Sequence, residues 1–440
     1  MIVERAAAGP DQPDEAAAPA HPSASSPFRL GETMRQAGML FSAQTFAMGT
    51  SFLAAAVQWR WMEPAELGRF VFCVTIVEIA GLLFEVGIFP AGARVLALAR
   101  DQHAERRALG ALFVLAMVMG AAFSVFVAAT AYPIDLIFHQ NARSALIGSA
   151  VFLVLKPFQS LVEQACQGLN HIRKLSAFQL LRSGLNLSLL AGLALAHRLT
   201  AESALIAYLT GIGVSALVII LRMRPSFEER SRYTKLTLKE ARSYGLNVYL
   251  ARITGTVSTE FDNLVIAYFL VDPAPLGLYA TAQKLASPIL TMARSLAVTR
   301  FRAFAHLKRV PARLARWNAA TLIAASAALA VAGPVALRYL FPQYAAAAPL
   351  LVPFAVWGLF AGLYQPYNMF LASHGRGVEI RNIAVIVTLA TFAGLIVAVP
   401  RFGIAGAAWA CAAAMVLDYL VSLYYYRKFS RTLDQGSGSV

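Results

Sequence analysis

The stretch EFDNLVIAYFLVDPAPLGLYATAQKL, residues 260–285, places Glu260 and Asp262 on one side of a Pro-rich turn and Lys284 on the other. The residues around them are apolar enough for two membrane helices. At ~1.5 Å per residue the three charges stand about 14 to 16 Å from the turn. An ionised group at that depth in a bilayer costs ~2.5 kcal/mol or more on insertion scales, so such groups face a bundle interior or a wet cavity. The chemistry open to them is ion pairing, carriage of a proton or cation, or capture of a charged substrate.

Other charges share this predicament. Lys156, Arg182, Arg252, Lys284 and Arg294 are the bases embedded in apolar segments, and Glu78, Glu85, Glu163, Glu260, Asp262 and Asp418 the acids. Residues three or four apart share a helix face. By that rule Tyr249, Arg252, Thr256, Thr259 and Asn263 form one polar stripe, and Lys284, Ser287, Thr291 and Arg294 another. Two further stripes run through Gln179, Arg182 and Asn186, and through Lys156, Gln159/Ser160, Glu163 and Gln167. A single stripe of this kind also serves as helix–helix glue. Four of them, two from each half of the chain, are expected to wall a water-filled cavity.

Antiparallel helices place residues equidistant from their turn at equal depth. About Pro273, Asp262 and Lys284 are each eleven residues away, and Arg252 and Arg294 each twenty-one. The first two are therefore expected to form an intramembrane ion pair. The second two are expected to be unmatched cations, suited to an anion, although Arg294 near its helix end also fits snorkelling to lipid phosphates. Glu78 and Glu85, seven apart on one face, are expected to neutralise cavity arginines, with carriage of a proton or Na⁺ as the other reading. Lys156–Pro157 sets a kink beside a cation, since Pro removes a backbone hydrogen bond. Glu260 is expected to face the cavity.

The elements that position these groups follow from composition. Of 440 residues, 58% are hydrophobic and 14% charged, against about 25% charged in soluble domains. Apolar segments recur at roughly 37–58, 67–92, 108–131, 146–166, 175–197, 202–222, 243–270, 275–299, 314–340, 346–372, 379–399 and 403–426. Many are long enough to span a ~30 Å hydrocarbon core. The fold expected is an all-α polytopic membrane protein of about twelve transmembrane helices, in two parallel six-helix lobes around a central cavity. No alternating strand pattern points to a barrel. Cys73, Cys166 and Cys411 lie in apolar segments without paired spacing, and the seven histidines fall in loops or at helix ends. Neither a metal site nor any other cofactor is expected.

The domain reading is a disordered cytoplasmic head over 1–36, an N-terminal lobe over 37–222, a basic linker over 223–242, a C-terminal lobe over 243–428 and a flexible tail over 429–440. Head, linker, tail and the loops on their side hold 27 Lys and Arg, against 6 on the other side. That bias places both termini in the cytoplasm. It also accounts for the net charge of +15 without nucleic acid. The linker, RMRPSFEERSRYTKLTLKEARS, reads as an amphipathic lipid-surface segment. LGRF at Leu67 and LGLY at Leu276 echo each other at an offset of 209 residues. Halves repeated in the same orientation imply a pseudo-two-fold axis along the membrane normal.

Three stretches carry a family resemblance. FDNLVIAYFLVDPAPLGLYATAQKLASP resembles the seventh–eighth helix region of polysaccharide flippases in the multidrug/oligosaccharidyl-lipid/polysaccharide exporter superfamily. GRGVEIRN…VPRFGIAGAAWA, from Gly375 to Ala410, resembles their penultimate helix pair, and LGRFVFCVTIVEIAGLLFEVGIFP their second helix. The resemblance covers residues 37–428. It implies a V-shaped pair of six-helix lobes in the bacterial inner membrane and translocation of an undecaprenyl-pyrophosphate-linked oligosaccharide to the outer leaflet. The partners it implies are that lipid-linked substrate, membrane lipids, and a polysaccharide polymerase with its export machinery. A pyrophosphate requires cations, for which Arg supplies bidentate hydrogen bonds, and sugars require polar and aromatic groups. Tyr249, Tyr268 and Tyr279 are candidates, the last two equally as packing or interfacial residues.

Two other function classes compete. A cation-coupled drug antiporter of the same superfamily would favour an acidic, aromatic cavity. A polysaccharide polymerase or ligase would be an enzyme acting outside the membrane, and the short outer loops argue against it. A peptidoglycan-precursor flippase would share the fold. The expectation is a transporter, not an enzyme.

Overall fold

A computed structural model describes residues 30–299, 304–305, 307 and 309–435. The expected head falls outside it up to residue 29, and α1 already begins at Leu30. In chain order the helices are α1 (Leu30–Trp61), α2 (Pro64–Glu85), α3 (Ile88–Ala97), α4 (Gln102–Phe138), α5 (Arg143–Gly148), α6 (Ala150–Leu153), α7 (Pro157–Gly168), α8 (Ile172–Leu195) and α9 (Ala201–Met223). After them come α10 (Arg230–Glu240), a π-helical turn Ala241–Gly245, α11 (Leu246–Phe269), α12 (Ala274–Thr299) and α13 (Ala312–Leu340). A 3₁₀ stretch, Pro342–Leu350, leads into α14 (Leu351–Leu363), α15 (Gln365–Ser373) and α16 (Gly377–Gln435). No strand occurs among the described residues.

Local chemistry sets several of these boundaries. The Asp101 carboxylate accepts the Ala104 amide at 2.7 Å and caps α4. Thr200 and Ser203 form a reciprocal capping box on α9. Val86 and Gly87 adopt left-handed backbone at φ 42° and 72°, which divides the expected segment 67–92 into α2 and α3. At the expected kink, α6 ends at Leu153, a tighter right-handed turn carries the chain through Lys156, and Pro157 opens α7 at its first turn, where a missing amide costs nothing.

Among the described residues, seven helical spans are long and apolar enough to cross a membrane. The twelve segments expected outnumber them for identifiable reasons. The helices α1, α11 and α12 are among the segments not counted, α11 and α12 each carrying a polar stripe, and the segment 146–166 is divided among α5, α6 and α7. Gly377–Thr432 counts once although it doubles back on itself. Gly403, at φ 59° and ψ −144°, turns the chain, and Gly394 then faces Ala410 while Gly406 meets the Ala398 carbonyl. The helix runs on to Gln435, so residues 429–435, expected as tail, form its last turns. There Phe429 packs against Phe370 and His374.

The two halves meet along α2 and α12. A Cβ placed on Gly68 would lie 1.9 Å from the Pro273 carbonyl oxygen, and one on Gly277 would lie 2.0 Å from that of Pro64. The LGRF and LGLY echoes therefore touch each other. Each glycine lies four residues after its proline, as a two-fold relation requires, and small residues let the backbones close. The linker, expected as a lipid-surface segment, is packed on protein: α10 lies on α3 and α4, Arg107 holds Glu228 at 3.1 Å and also pairs with Glu229, and Arg94 binds Glu240 at 2.6 Å.

Candidate functional site: a cavity between the lobes

A cavity of about 490 Å³ lies where α1, α2, α8 and α9 of the first half face α11, α12 and α14 of the second. Its polar lining includes Ser51, Gln58, Thr75, Asn186, Tyr208, Glu260, Asn263, Gln283, Lys284 and Ser287, with Trp59 and Trp357 as aromatic walls. A second cavity, of about 370 Å³, lies within the first half around Gln44, Glu163, Gln179 and Arg182 and shares Ser51, Asn186 and Tyr208 with the first. A third, of about 410 Å³, lies within the second half around Asp262, Arg294, Tyr364, Thr391 and Phe392 and shares Gln283 and Trp357. The three abut, so polar space runs from one lobe to the other.

The expected partnership of Asp262 with Lys284 does not form. Asp262 accepts from the Tyr279 hydroxyl at 2.8 Å, Gln283 Nε2 at 3.0 Å and the Asn263 amide at 2.9 Å. Lys284 Nζ instead donates to Ser51 Oγ on α1 at 2.8 Å. Equal depth does not fix azimuth. α11 and α12 diverge from their turn, α12 packing chiefly on α2 and α14 and α11 on α2 and α16. Asp262 consequently lines the second-lobe cavity, while Lys284 lines the central one.

The expectation for Arg252 is likewise corrected. It is not an unmatched cation: its guanidinium meets Glu85 at 2.7 Å, and Glu85 also accepts from Ser160. Nearby, the Tyr249 hydroxyl donates to the Leu83 carbonyl at 2.8 Å. A Cβ on Gly87 would lie 2.4 Å from the Gly245 carbonyl oxygen. These contacts tie the second half to the first at the linker end, outside the lining of the central cavity. Arg294 lines the second-lobe cavity beside the Tyr364 hydroxyl.

Glu78 neutralises a lysine, not an arginine. It pairs with Lys156 and accepts from the Tyr208 hydroxyl at 2.7 Å. Lys156 reaches Gln159 at 3.0 Å, Gln159 reaches Glu163 at 3.2 Å, and Glu163 lies 3.8 Å from Arg182. A polar chain thus crosses the first lobe from Tyr208 at the central cavity to Arg182 in the first-lobe cavity. Its Lys156 is 7% exposed and is a strut of that chain.

Glu260 faces the central cavity, where its carboxylate accepts from Thr75 at 2.8 Å and Asn263 at 3.1 Å. Three amide oxygens, those of Gln179, Asn186 and Asn263, are buried with no hydrogen-bond partner among the described residues and belong to cavity-lining residues. Buried acceptors of this kind call for a donor. Of the tyrosines, Tyr279 is fully buried against Phe354 with its hydroxyl on Asp262, and Tyr268 is exposed beside Phe138, so neither lines the central cavity. Sequence reasoning missed Ser51, Gln58, Tyr208, Trp357 and Tyr364. Gln44, Ser51 and Gln58 recur every seven residues on α1, a face that spacing alone could have found.

A family model described as polysaccharide biosynthesis protein matches residues 59–337. No curated protein matches the chain in sequence. Among solved structures, the chain is similar to an inward-facing multidrug resistance MATE family transporter of the MOP superfamily, with TM-score 0.69 and 16% identity over 88% of this chain and 96% of that one. It is similar to the lipid II flippase MurJ in an inward closed conformation, with TM-score 0.65 and 12% identity over 89% and 90%. An outward-facing MATE transporter matches with TM-score 0.56 and 17% identity over 91% and 96%. At these identities the likeness is one of fold.

Proposed function

The chain belongs to the polysaccharide biosynthesis protein family, and from this we propose that it flips an undecaprenyl-pyrophosphate-linked oligosaccharide from the cytoplasmic to the periplasmic leaflet by alternating access. The observation that carries this reading is the Lys284 ammonium in the central cavity, whose lining also holds the Glu260 carboxylate, itself bonded to Thr75 and Asn263. Lys284 lines the cavity with a hydroxyl partner and no ion pair among the described residues. An ammonium held in this way is a point charge for a phosphate. The unpartnered amide oxygens of Asn186 and Asn263 are acceptors for sugar hydroxyls, and Trp59 and Trp357 supply faces for sugar rings. Arg182 and Arg294 add cations to the two flanking cavities.

The energy source we assign to Asp262, whose cavity in the second lobe sets a carboxylate among neutral donors as a seat for a proton or Na⁺. The protein is a transporter and not an enzyme in this reading. It resides in the bacterial inner membrane with both termini cytoplasmic, beside a polysaccharide polymerase and export machinery that take up its product. The glycan is that of an exopolysaccharide or an O-antigen. One observation favours a second reading as an organic-cation antiporter: Phe261 and Phe392 stack at 3.8 Å beside Asp262, an arrangement that also suits a flat cation.

Deletion of the gene separates the two. The flippase reading expects accumulation of a lipid-linked oligosaccharide, relieved by the wild type and not by Lys284→Ala. Full export by both Lys284→Ala and Lys284→Glu would remove the cationic cavity from the mechanism. Sensitivity to organic cations without accumulated glycolipid would replace the flippase by the antiporter.

A further inference from the structure

A fourth cavity, of about 340 Å³, lies apart from the three between and within the lobes, at the linker end of the first half. Its wall comes from the start of α4, the α7–α8 connection and the end of α9. Arg106, His171, Lys174, Arg222 and Arg224 line it, with Glu105 the single carboxylate and Leu109, Leu169 and Met223 as an apolar floor. Among the described residues, none of the four strong bases pairs with an acid. The contrast with their neighbour is direct, because Arg107, one residue from Arg106, is taken up by Glu228 and Glu229.

The wall is fixed in place. The Ser226 amide donates to the Arg106 carbonyl at 2.8 Å, and a Cβ on Gly110 would lie 2.0 Å from the Ser226 carbonyl oxygen. The chain after α9 is thus pressed onto α4, and Arg224 is held at φ 53°, a left-handed conformation unusual for a non-glycine residue. Asn170, beside the opposite rim, stands at φ 52°. Backbone held in such regions is over-determined by its surroundings and gathers at binding sites. On the opposite rim, Lys174 lies 3.4 Å from His171 Nδ1. Cations on three separate segments converge on one space over an apolar floor, on the face that the Lys and Arg distribution assigns to the cytoplasm.

The geometry points to a binding site for a phosphate group, of an anionic lipid or a soluble phosphate, at the cytoplasmic membrane surface and distinct from the transport cavity. The apolar floor suits the glycerol and first methylenes of an anionic lipid. A soluble phosphate would use the cations alone.

The test measures binding to the full-length purified protein from thermal shifts in detergent, with phosphatidylglycerol, phosphatidylcholine or inorganic pyrophosphate added in separate arms. A saturable response to phosphatidylglycerol alone identifies a lipid headgroup as the source. An equal response to pyrophosphate identifies a soluble phosphate. In either case the combined variant Arg106→Gln, Lys174→Gln, Arg222→Gln, Arg224→Gln weakens binding by about tenfold or more, since charge-assisted contacts dominate such sites. Arg232→Gln, in the same basic linker but outside the cavity, leaves it unchanged. Should the combined variant fail to fold, Glu105→Gln serves instead. Removing the single acid tightens binding by about threefold at low salt. No saturable response to phosphatidylglycerol or pyrophosphate, an equal response to zwitterionic phosphatidylcholine, retention of binding in the combined variant, equal loss in Arg232→Gln, or no tightening in Glu105→Gln each overturns the proposal.

Discussion

Lys284 Nζ donates to the hydroxyl of Ser51 at 2.8 Å, so an ammonium of the second half is held by the first helix of the chain. The bond links the two halves across the central cavity's wall, and among the described residues the ammonium has no ion pair. Two variants separate charge from tether. Lys284→Ala is expected to lower export at least tenfold in a glycolipid-accumulation assay, with Lys284→Arg restoring part of it. Ser51→Ala removes one neutral partner of a charged donor, worth about 1 to 2 kcal/mol, and is expected to lower thermal stability slightly while export persists. Equal loss in both would make Lys284 a strut.

The Glu85–Arg252 contact at 2.7 Å fastens α2 to α11 at the linker end. Glu85 is buried and Arg252 is partly exposed, so breaking the pair should cost about 2 kcal/mol, between the values for exposed and buried pairs. Arg252→Ala and Glu85→Gln are each expected to lower the melting temperature of the solubilised protein. The charge-swapped Glu85→Arg, Arg252→Glu should regain more than half of that loss. An additive double mutant would mean that the two residues act separately.

The helical class, the membrane setting and the two-lobe repeat were legible in the residues because apolar runs and Lys/Arg bias depend on local composition. The LGRF and LGLY echo went further, since a repeated small residue marks where backbones can close, and Gly68 and Gly277 do close. Pairing was not legible. Depth along a helix follows from counting, but azimuth depends on which neighbour the helix packs against, and α12 chooses α2 and α14. Asp262 and Lys284, level in register, therefore open into different cavities. Arg252 found its acid on α2: Glu85 was expected to neutralise an arginine and does so, but the hairpin register, which left Arg252 unmatched, did not say which one. Glu78 and Glu85 were correctly read as one face because seven residues is close to two turns, and Lys156, just before α7, and Ser160 on α7 meet them four residues apart.

At the other end of the seam, the glycine contact yields a stability prediction. A side chain at Gly68 or Gly277 meets backbone, which cannot rotate away. Gly68→Val and Gly277→Val are each expected to destabilise by about 1 to 3 kcal/mol and to lower export, read by thermal unfolding and glycolipid accumulation. By contrast Gly184→Ala, where nothing lies within reach of a Cβ, should be neutral or slightly stabilising, because alanine favours helix by about 1 kcal/mol.

Asp262 accepts three hydrogen bonds from neutral donors, so Asp262→Asn preserves size and leaves one acceptor for Tyr279 or Gln283. Under the coupling role proposed here, this variant folds and reaches the membrane as the wild type does. Its transport in vesicles no longer responds when the proton or Na⁺ gradient is collapsed, whereas wild-type transport falls. Unchanged gradient dependence in Asp262→Asn would place the coupling elsewhere.

His171 gives the phosphate cavity a pH signature. Burial, and then the neighbouring Lys174, hold its imidazole below the usual value of 6.5, while Glu105 opposes them. Arg106, Arg222 and Arg224 also face the cavity, and their positive charge acts in the same sense as Lys174. Because the folded protein resists this protonation, the stabilising contribution is complete above the unfolded pKa and is lost as pH falls below about 6.5. A bound phosphate reverses the preference, since an anion favours imidazolium. Affinity should therefore rise between about pH 7.5 and pH 5.5, where the imidazole titrates, by a few-fold. His171→Gln should flatten both the acid loss of stability and the acid gain in affinity, measured by thermal shift with and without ligand at each pH. An affinity profile with the same slope in His171→Gln would assign the proton to another group.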